Sequence, residues 1–366
     1  MVLNRIAAGA LVALAPLLAS VAAHAQSWQD QWKAVTEKAK GQSLAIVSQD
    51  NPAYDATINE FGKRFGVKIE ETVARPSVAL SRIQTEQKSG QYVWDSWIGG
   101  TSNMVNSGVP GGFVEPMEKF FILPEVKDTA NWRHPDFMFG DEGHHVFTYV
   151  NKLEFYVLRN TSVLPDMKMQ TWDDFLNPKL KGKISIRDIS VPNSGTFAMV
   201  GLYHAKGADG FRKFFKEQDV HVYENPQQLD QALRRGGQAV SVGLETNVWD
   251  QCRTDGGCKE IDQLRQYPAA ISLGVSIPKN PPHKEAVTAW INWFLSKEGQ
   301  QVWVDNWAKS NSYGAVSMRK DVAPAPGHER DLPDFTHAEQ YVFVSSDKGS
   351  KEVDGAIKVY KEAMDR

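Results

Sequence analysis

Ser194-Gly195-Thr196 stands directly before an apolar run and offers two hydroxyls and a glycine where a helix should begin. A helix N-terminus carries unpaired N–H groups and partial positive charge, which suits an anion. Gly195 would let a ligand come close to the backbone. The same residue types also serve as ordinary helix caps. Thr101-Ser102 repeats this hydroxyl chemistry after another short apolar run, beside Gly99-Gly100. Arg75 and Arg187 each follow a strand-like run and could hold a carboxylate or phosphate through two parallel N–H bonds. For Arg187 a local pair with Asp188 is the alternative. Asn51 closes the polar turn Gln49-Asp50-Asn51, and Tyr149 lies in a long extended stretch, able either to face a cleft or to fill a core.

These groups suit binding better than bond-breaking. The sequence has no G-x-S-x-G, no H-E-x-x-H, no phosphate-binding G-x-x-x-x-G-K and no G-x-G-x-x-G between a strand and a helix. The adjacent carboxylates Asp173-Asp174 sit at a predicted helix start, where acidic residues complement the helix dipole. No catalysis, cofactor or metal is expected. The net charge of −3, with both signs interspersed, offers nothing to nucleic acid or anionic lipid.

The elements that must position these residues alternate. Residues 43–48 (SLAIVS) read as a buried strand, and Ile58, Phe61 and Phe65 mark one face of a helix closed by Gly66. Residues 67–73 return as a strand, 78–88 as a helix and 94–98 as a third strand. A second block repeats the alternation: strand 183–186, helices 196–205 and 207–217, helix 226–235 capped by Asn225, and strand 239–242. Strands and helices in this order make mostly parallel sheets, with ligands beyond the strands' carboxyl ends. Two extended stretches, 146–159 and 270–277, flank the second block. They predict a second lobe inserted into the first through two crossing strands, which makes a hinge. Helices over 285–295 and 296–307 should pack back on the first lobe, and a charged helix over 351–366 ends the chain.

Residues 1–25 read as a secretory leader: Arg5, an apolar run from Ile6 to Ala22, and Ala23-His24-Ala25 as an A-x-A cleavage site. About 340 residues remain, two domains at ~100–200 residues each. Export favours a local disulfide between Cys252 and Cys258 across the turn-like CRTDGGC. So short a loop would stabilise by nearer ~2 than ~4 kcal/mol.

Several segments, in order, carry a family resemblance. WDDFLNPKLKGKI (172–184) is similar to a TWxDLLxPxxKGKI linker, PNSGT (192–196) to a Pro-containing SGT loop, and DSWIGGT (95–101) to a DVxxxGG strand and loop. GVSIPKN (274–280), HKEA (283–286) and INWFLSKEGQ (291–300) follow the xIxKxAPHxxAAxxFIxFLLSxEGQ pattern. Together they resemble the bacterial extracellular solute-binding proteins of ABC importers, the group that includes ferric-iron-binding proteins. The resemblance implies an α/β, type II periplasmic-binding-protein fold: a bilobal clamp of two mixed sheets with two crossing hinge strands. The division expected is leader 1–25, first lobe 26–150, second lobe 151–272, and a return to the first lobe with C-terminal helices over 273–366. It also implies a monomeric periplasmic receptor that hands a small ligand to a membrane permease and, indirectly, its ATPase. Glu245 follows strand 239–242, in a loop that in this family faces the cleft. The iron-binding members carry adjacent tyrosines here. This chain reads VGLETNVW (242–249) and has none, so a small organic or phosphorylated anion is favoured over Fe(III). Glu245 with Asp50 leaves a polyamine open, a sensor kinase could replace the permease as partner, and a periplasmic hydrolase is the remaining reading.

Overall fold

The computed structural model describes residues 27–245, 256, 259–310 and 313–365. The expected leader and the expected Cys252–Cys258 pairing lie outside the described residues. Among those described, no helix is long and apolar enough to cross a membrane.

The first lobe is built on a six-stranded mixed sheet. Strands β1 (Ser43–Ser48), β2 (Lys68–Val73) and β3 (Ser96–Gly100) run parallel, and β11 (Ala269–Pro278) joins them antiparallel beside β3. The long β5 (Val146–Glu154) pairs antiparallel with β11, and the short β4 (Val114–Glu115) pairs with the far end of β11. Helix α1 (Trp28–Ala39) packs on α7 (Lys284–Leu295), and α2 (Pro52–Phe65) on α8 (Lys297–Lys309). These helices bury a dense aromatic core in which Tyr54, Phe61, Trp290, Trp293, Phe294, Trp303 and Trp307 touch ring to ring. Apolar residues line almost the whole of α7, because the helix is covered on every side. The cap chemistry follows the sequence: Asn51 accepts from the Ala53 N–H at 2.8 Å, Pro52 opens α2, and Gly66 closes it at φ +67°. Helix α3 (Pro76–Lys88) and a short α4 (Pro124–Lys127) complete the lobe.

The second lobe carries a five-stranded sheet in the order β10-β6-β9-β7-β8. Strands β7 (Ile184–Arg187), β8 (His221–Tyr223) and β9 (Val240–Val242) are parallel; β6 (Val157–Asn160) and β10 (Ile261–Gln263) are antiparallel to their neighbours. The two helices anticipated over 196–217 form one element, α5 (Ser194–Glu217), interrupted at Gly207 (φ +65°, ψ −178°), a conformation glycine adopts at no steric cost. Helix α6 (Pro226–Arg234) has Asn225 as its cap.

The chain crosses between lobes at Phe155-Tyr156, which separates β5 from β6, and again between β10 and β11. The boundaries drawn at 150/151 and 272/273 therefore fall inside β5 and β11, whose hydrogen-bonded ladder belongs to the first lobe. The C-terminal helix α9 (Asp347–Ala363), which the sequence places on neither lobe, packs along α5. Its Val353, Ala356, Val359 and Tyr360 enter the second lobe's core because they form the helix's apolar stripe.

Candidate functional site

The hinge strand leaves an alternating polar row, Lys152, Glu154 and Tyr156, where it crosses between lobes. Lys152 Nζ lies 2.8 Å from Glu154 Oε1, donates to the Tyr313 carbonyl at 3.0 Å and sits 5.4 Å from the centre of the Trp307 ring. The Tyr156 hydroxyl donates to Glu154 Oε2 at 2.6 Å. Burial works to raise the Glu154 carboxyl, but the Lys152 ammonium and the Tyr156 hydroxyl outweigh it and hold it below the ordinary carboxylate range. The Tyr156 phenol is pushed well above its usual value by burial and then by the negative charges of Glu154 and Glu245. The Gly243 N–H donates to the Tyr156 carbonyl at 2.8 Å and so ties the hinge to the loop after β9.

That loop meets Arg187 at the carboxyl end of β7. Arg187 Nη1 donates to Glu245 Oε1 at 3.1 Å and to Ser194 Oγ at 3.0 Å, and the Ser194 hydroxyl donates to the Gly243 carbonyl at 2.7 Å. Parallel pairing of β7 with β9 brings these distant residues together. Gly243, at φ +101°, permits the approach: a Cβ there would lie 2.8 Å from Arg187 Cβ and 2.8 Å from Gly195 Cα. Nε and Nη2 of Arg187 make no hydrogen bond among the described residues, and the side chain keeps 24% exposure. A guanidinium carries five N–H donors, so part of this set is unused among the described residues.

Arg187, Ser194, Gly195 and Glu245 thus come together on the second lobe, with altered roles. The cap of α5 is Asn193, whose Oδ1 accepts from Gly195 N at 2.8 Å and Thr196 N at 3.4 Å. The anion cradle expected from those N–H groups is already occupied by a side chain. Thr196 is fully buried and donates its hydroxyl to the Val191 carbonyl at 2.7 Å. Gly195 serves packing, since a Cβ would lie 3.0 Å from the Arg187 carbonyl oxygen. Arg187 pairs with Glu245 in place of the local Asp188 pairing considered from sequence.

The first-lobe candidates do not join this cluster. Tyr149 is a core residue: it is fully buried, with Phe294 and Trp303 edge-on at 4.8 and 5.0 Å, because its strand is covered by α7 and α8. Thr101 is 1% exposed and packs where β3 meets β11, within reach of the Ser272 carbonyl. Ser102 donates to Ser345 Oγ at 2.9 Å, Asn51 caps α2, and Arg75 stands exposed before α3. The β1 and β3 loops are clasped by Gln49, whose Oε1 accepts from Gly100 N at 2.7 Å and from the Tyr54 hydroxyl at 3.4 Å. Among the described residues no three His, Cys, Asp or Glu side chains gather as a metal site. His144 instead pairs with Glu118 and His145 with Asp141. A groove of about 1030 Å³ is lined by Phe137, Phe139, Asp141, His204, Phe343 and Asp347, and none of the ten candidates lines it.

Sequence reasoning missed Gln49, Lys152, Glu154 and Tyr156. The three hinge residues had a signal: polar groups at i, i+2 and i+4 share one side of an extended stretch. Gln49 had none, because its partner is a backbone N–H on another strand.

Comparison with known proteins agrees with this architecture. A model of the family described as bacterial extracellular solute-binding protein matches residues 123–329. An uncharacterised protein of Haemophilus influenzae is 25% identical over 272 residues, 72% of this chain and 75% of the relative. Among solved structures, the iron- and citrate-bound IdiA (FutA) of Trichodesmium superposes with a TM-score of 0.65 at 14% identity, covering 88% of this chain and 99% of that one. The fructose-6-phosphate-bound AfuA of Actinobacillus pleuropneumoniae gives 0.58 at 18% identity over 89% and 99%. The spermidine/putrescine-binding PotD of Streptococcus pneumoniae gives 0.61 at 14% over 88% and 100%. At these identities the solved structures establish the fold.

Proposed function

From the premise that this chain belongs to the bacterial extracellular solute-binding protein family, we propose that it is the periplasmic receptor of an ABC importer, capturing a small organic or phosphorylated anion between its lobes. Residues 1–25, which read as a secretory leader, support export, and delivery to a membrane permease follows from the class. One observation carries the ligand class. Arg187 is held from one side by Ser194 and Glu245, at the carboxyl end of a parallel strand, with Nε and Nη2 unbonded among the described residues. Fixed guanidinium donors suit a carboxylate or phosphate, because little side-chain entropy remains to be lost on binding.

A thermal-shift screen of the mature protein against organic acids, phosphonates, sugar phosphates, Fe(III) and polyamines tests this reading. A ligand at about 100 times its Kd should add ~2.7 kcal/mol of stability. Shifts with anions that vanish in Arg187→Ala support it. A shift with a polyamine and none with anions overturns the anion assignment. Capture of a sensor kinase in place of a permease would change the partner and leave the site intact.

A further inference from the structure

Arg187 meets an incoming anion already neutralised. Glu245 Oε1 lies 3.1 Å from the guanidinium, and Glu245 also bears on the Tyr156 phenol, whose hydroxyl is committed to the carboxylate of Glu154. An anion taking the free Nε and Nη2 edge therefore arrives within a few ångströms of the Glu245 carboxylate. Like charges at that separation repel, and the repulsion grows as closing lobes exclude water. Replacing the pair outright is no better, since a plain anion that displaced Glu245 would leave a carboxylate without its cation.

A ligand can resolve the conflict if it brings its own donor. The second oxygen of Glu245, Oε2, makes no hydrogen bond among the described residues, and the side chain is 55% exposed. An ammonium or hydroxyl near the ligand's anionic group could occupy it while the anion takes Arg187. We propose that the site selects anions that also carry a hydrogen-donating group, with Arg187 receiving the anion and Glu245 the donor, so that the resting ion pair rejects plain anions. The cluster is positioned for this: Ser194 is anchored to the Gly243 carbonyl and accepts from Arg187 Nη1, which holds the guanidinium beside Glu245. The pair is too exposed to matter much for folding, so its purpose is sought in recognition.

This inference rests on the anion reading, and its test separates the two. Calorimetric titration of the mature protein compares propylphosphonate with its 3-hydroxy and 3-amino analogues, and butanoate with 4-hydroxybutanoate and 4-aminobutanoate. The donor-bearing members should bind the wild type about tenfold or more tighter than the plain ones. In Glu245→Gln, whose fold is checked by thermal melting, plain anions should gain affinity and the discrimination should collapse. The ammonium compounds should then lose more than the hydroxyl compounds if the donor is a cation, and both should lose alike if it is a hydroxyl. Equal binding of plain and donor-bearing members by the wild type, or an unchanged ratio in Glu245→Gln, overturns the filter and leaves the anion reading standing. Absence of binding by every member to both proteins overturns the anion reading itself.

Discussion

The two lobes face each other with the same vocabulary of loops after parallel strands, yet they spend their polar groups differently. On the first lobe Gln49 is bonded to Gly100, Asn51 caps α2, Thr101 is buried against β11 and Ser102 is tied to Ser345. On the second lobe two nitrogens of Arg187 make no hydrogen bond among the described residues. The first lobe also holds the larger aromatic core and a fully buried arginine, Arg319, bonded to Asp321 and to the carbonyls of Glu125 and Leu295. A polar group already satisfied gains little by changing partner, whereas an ordered group with spare donors gains a bond without first breaking one. On the proposed reading, the first lobe is the wall and the second carries recognition.

The contrast can be broken from either side. Arg319→Ala should cost about 3 kcal/mol of stability in denaturant unfolding, because it strips a buried network, yet leave the affinity of the folded protein unchanged. Arg187→Ala should do the reverse, weakening anion binding about a hundredfold by calorimetry, ~2.7 kcal/mol, with little change in stability. Thr196→Val should cost about 1 kcal/mol of stability by removing the buried hydroxyl's bond to the Val191 carbonyl, which keeps its bond from Asn193 Nδ2. It should move Kd by less than about twofold, because that hydroxyl points into the lobe. A large loss of affinity would restore the helix N-terminus to the site.

At the hinge, pH sharpens the comparison. Glu154 has a folded-state pKa below its unfolded value. Its contribution to stability is complete above the unfolded value, about 4.3, and is lost as pH falls through the lower folded one. Stability measured against pH should show the gap between wild type and Glu154→Gln narrowing in acid below that range. A constant gap would mean that the carboxyl's charge contributes nothing.

Much of this frame was legible in the sequence because amphipathic periods and caps are local. Ile58, Phe61 and Phe65 with Gly66 fixed α2, and Asn225-Pro226 fixed the start of α6. The lobe boundaries were displaced because β5 and β11 are one continuous ladder, and continuity of pairing leaves no mark on either strand alone. The destination of α9 was hidden for a similar reason: its apolar stripe shows that it packs, and not on which lobe. At the site, residue types were readable and directions were not. Tyr149 and Thr196 carry the right groups and turn them inward. The Arg187–Glu245 contact depends on β7 lying beside β9, a fact of strand order that neither segment states.

The most direct test sets one residue from each lobe side by side. Titrating an anion identified in the screen into wild type, Arg187→Ala and Ser102→Ala compares the wall with the recognising lobe in a single measurement. The expected result is a loss of about a hundredfold for Arg187→Ala and less than about threefold for Ser102→Ala. Equal losses, or a larger one for Ser102→Ala, would contradict the division of labour between the lobes.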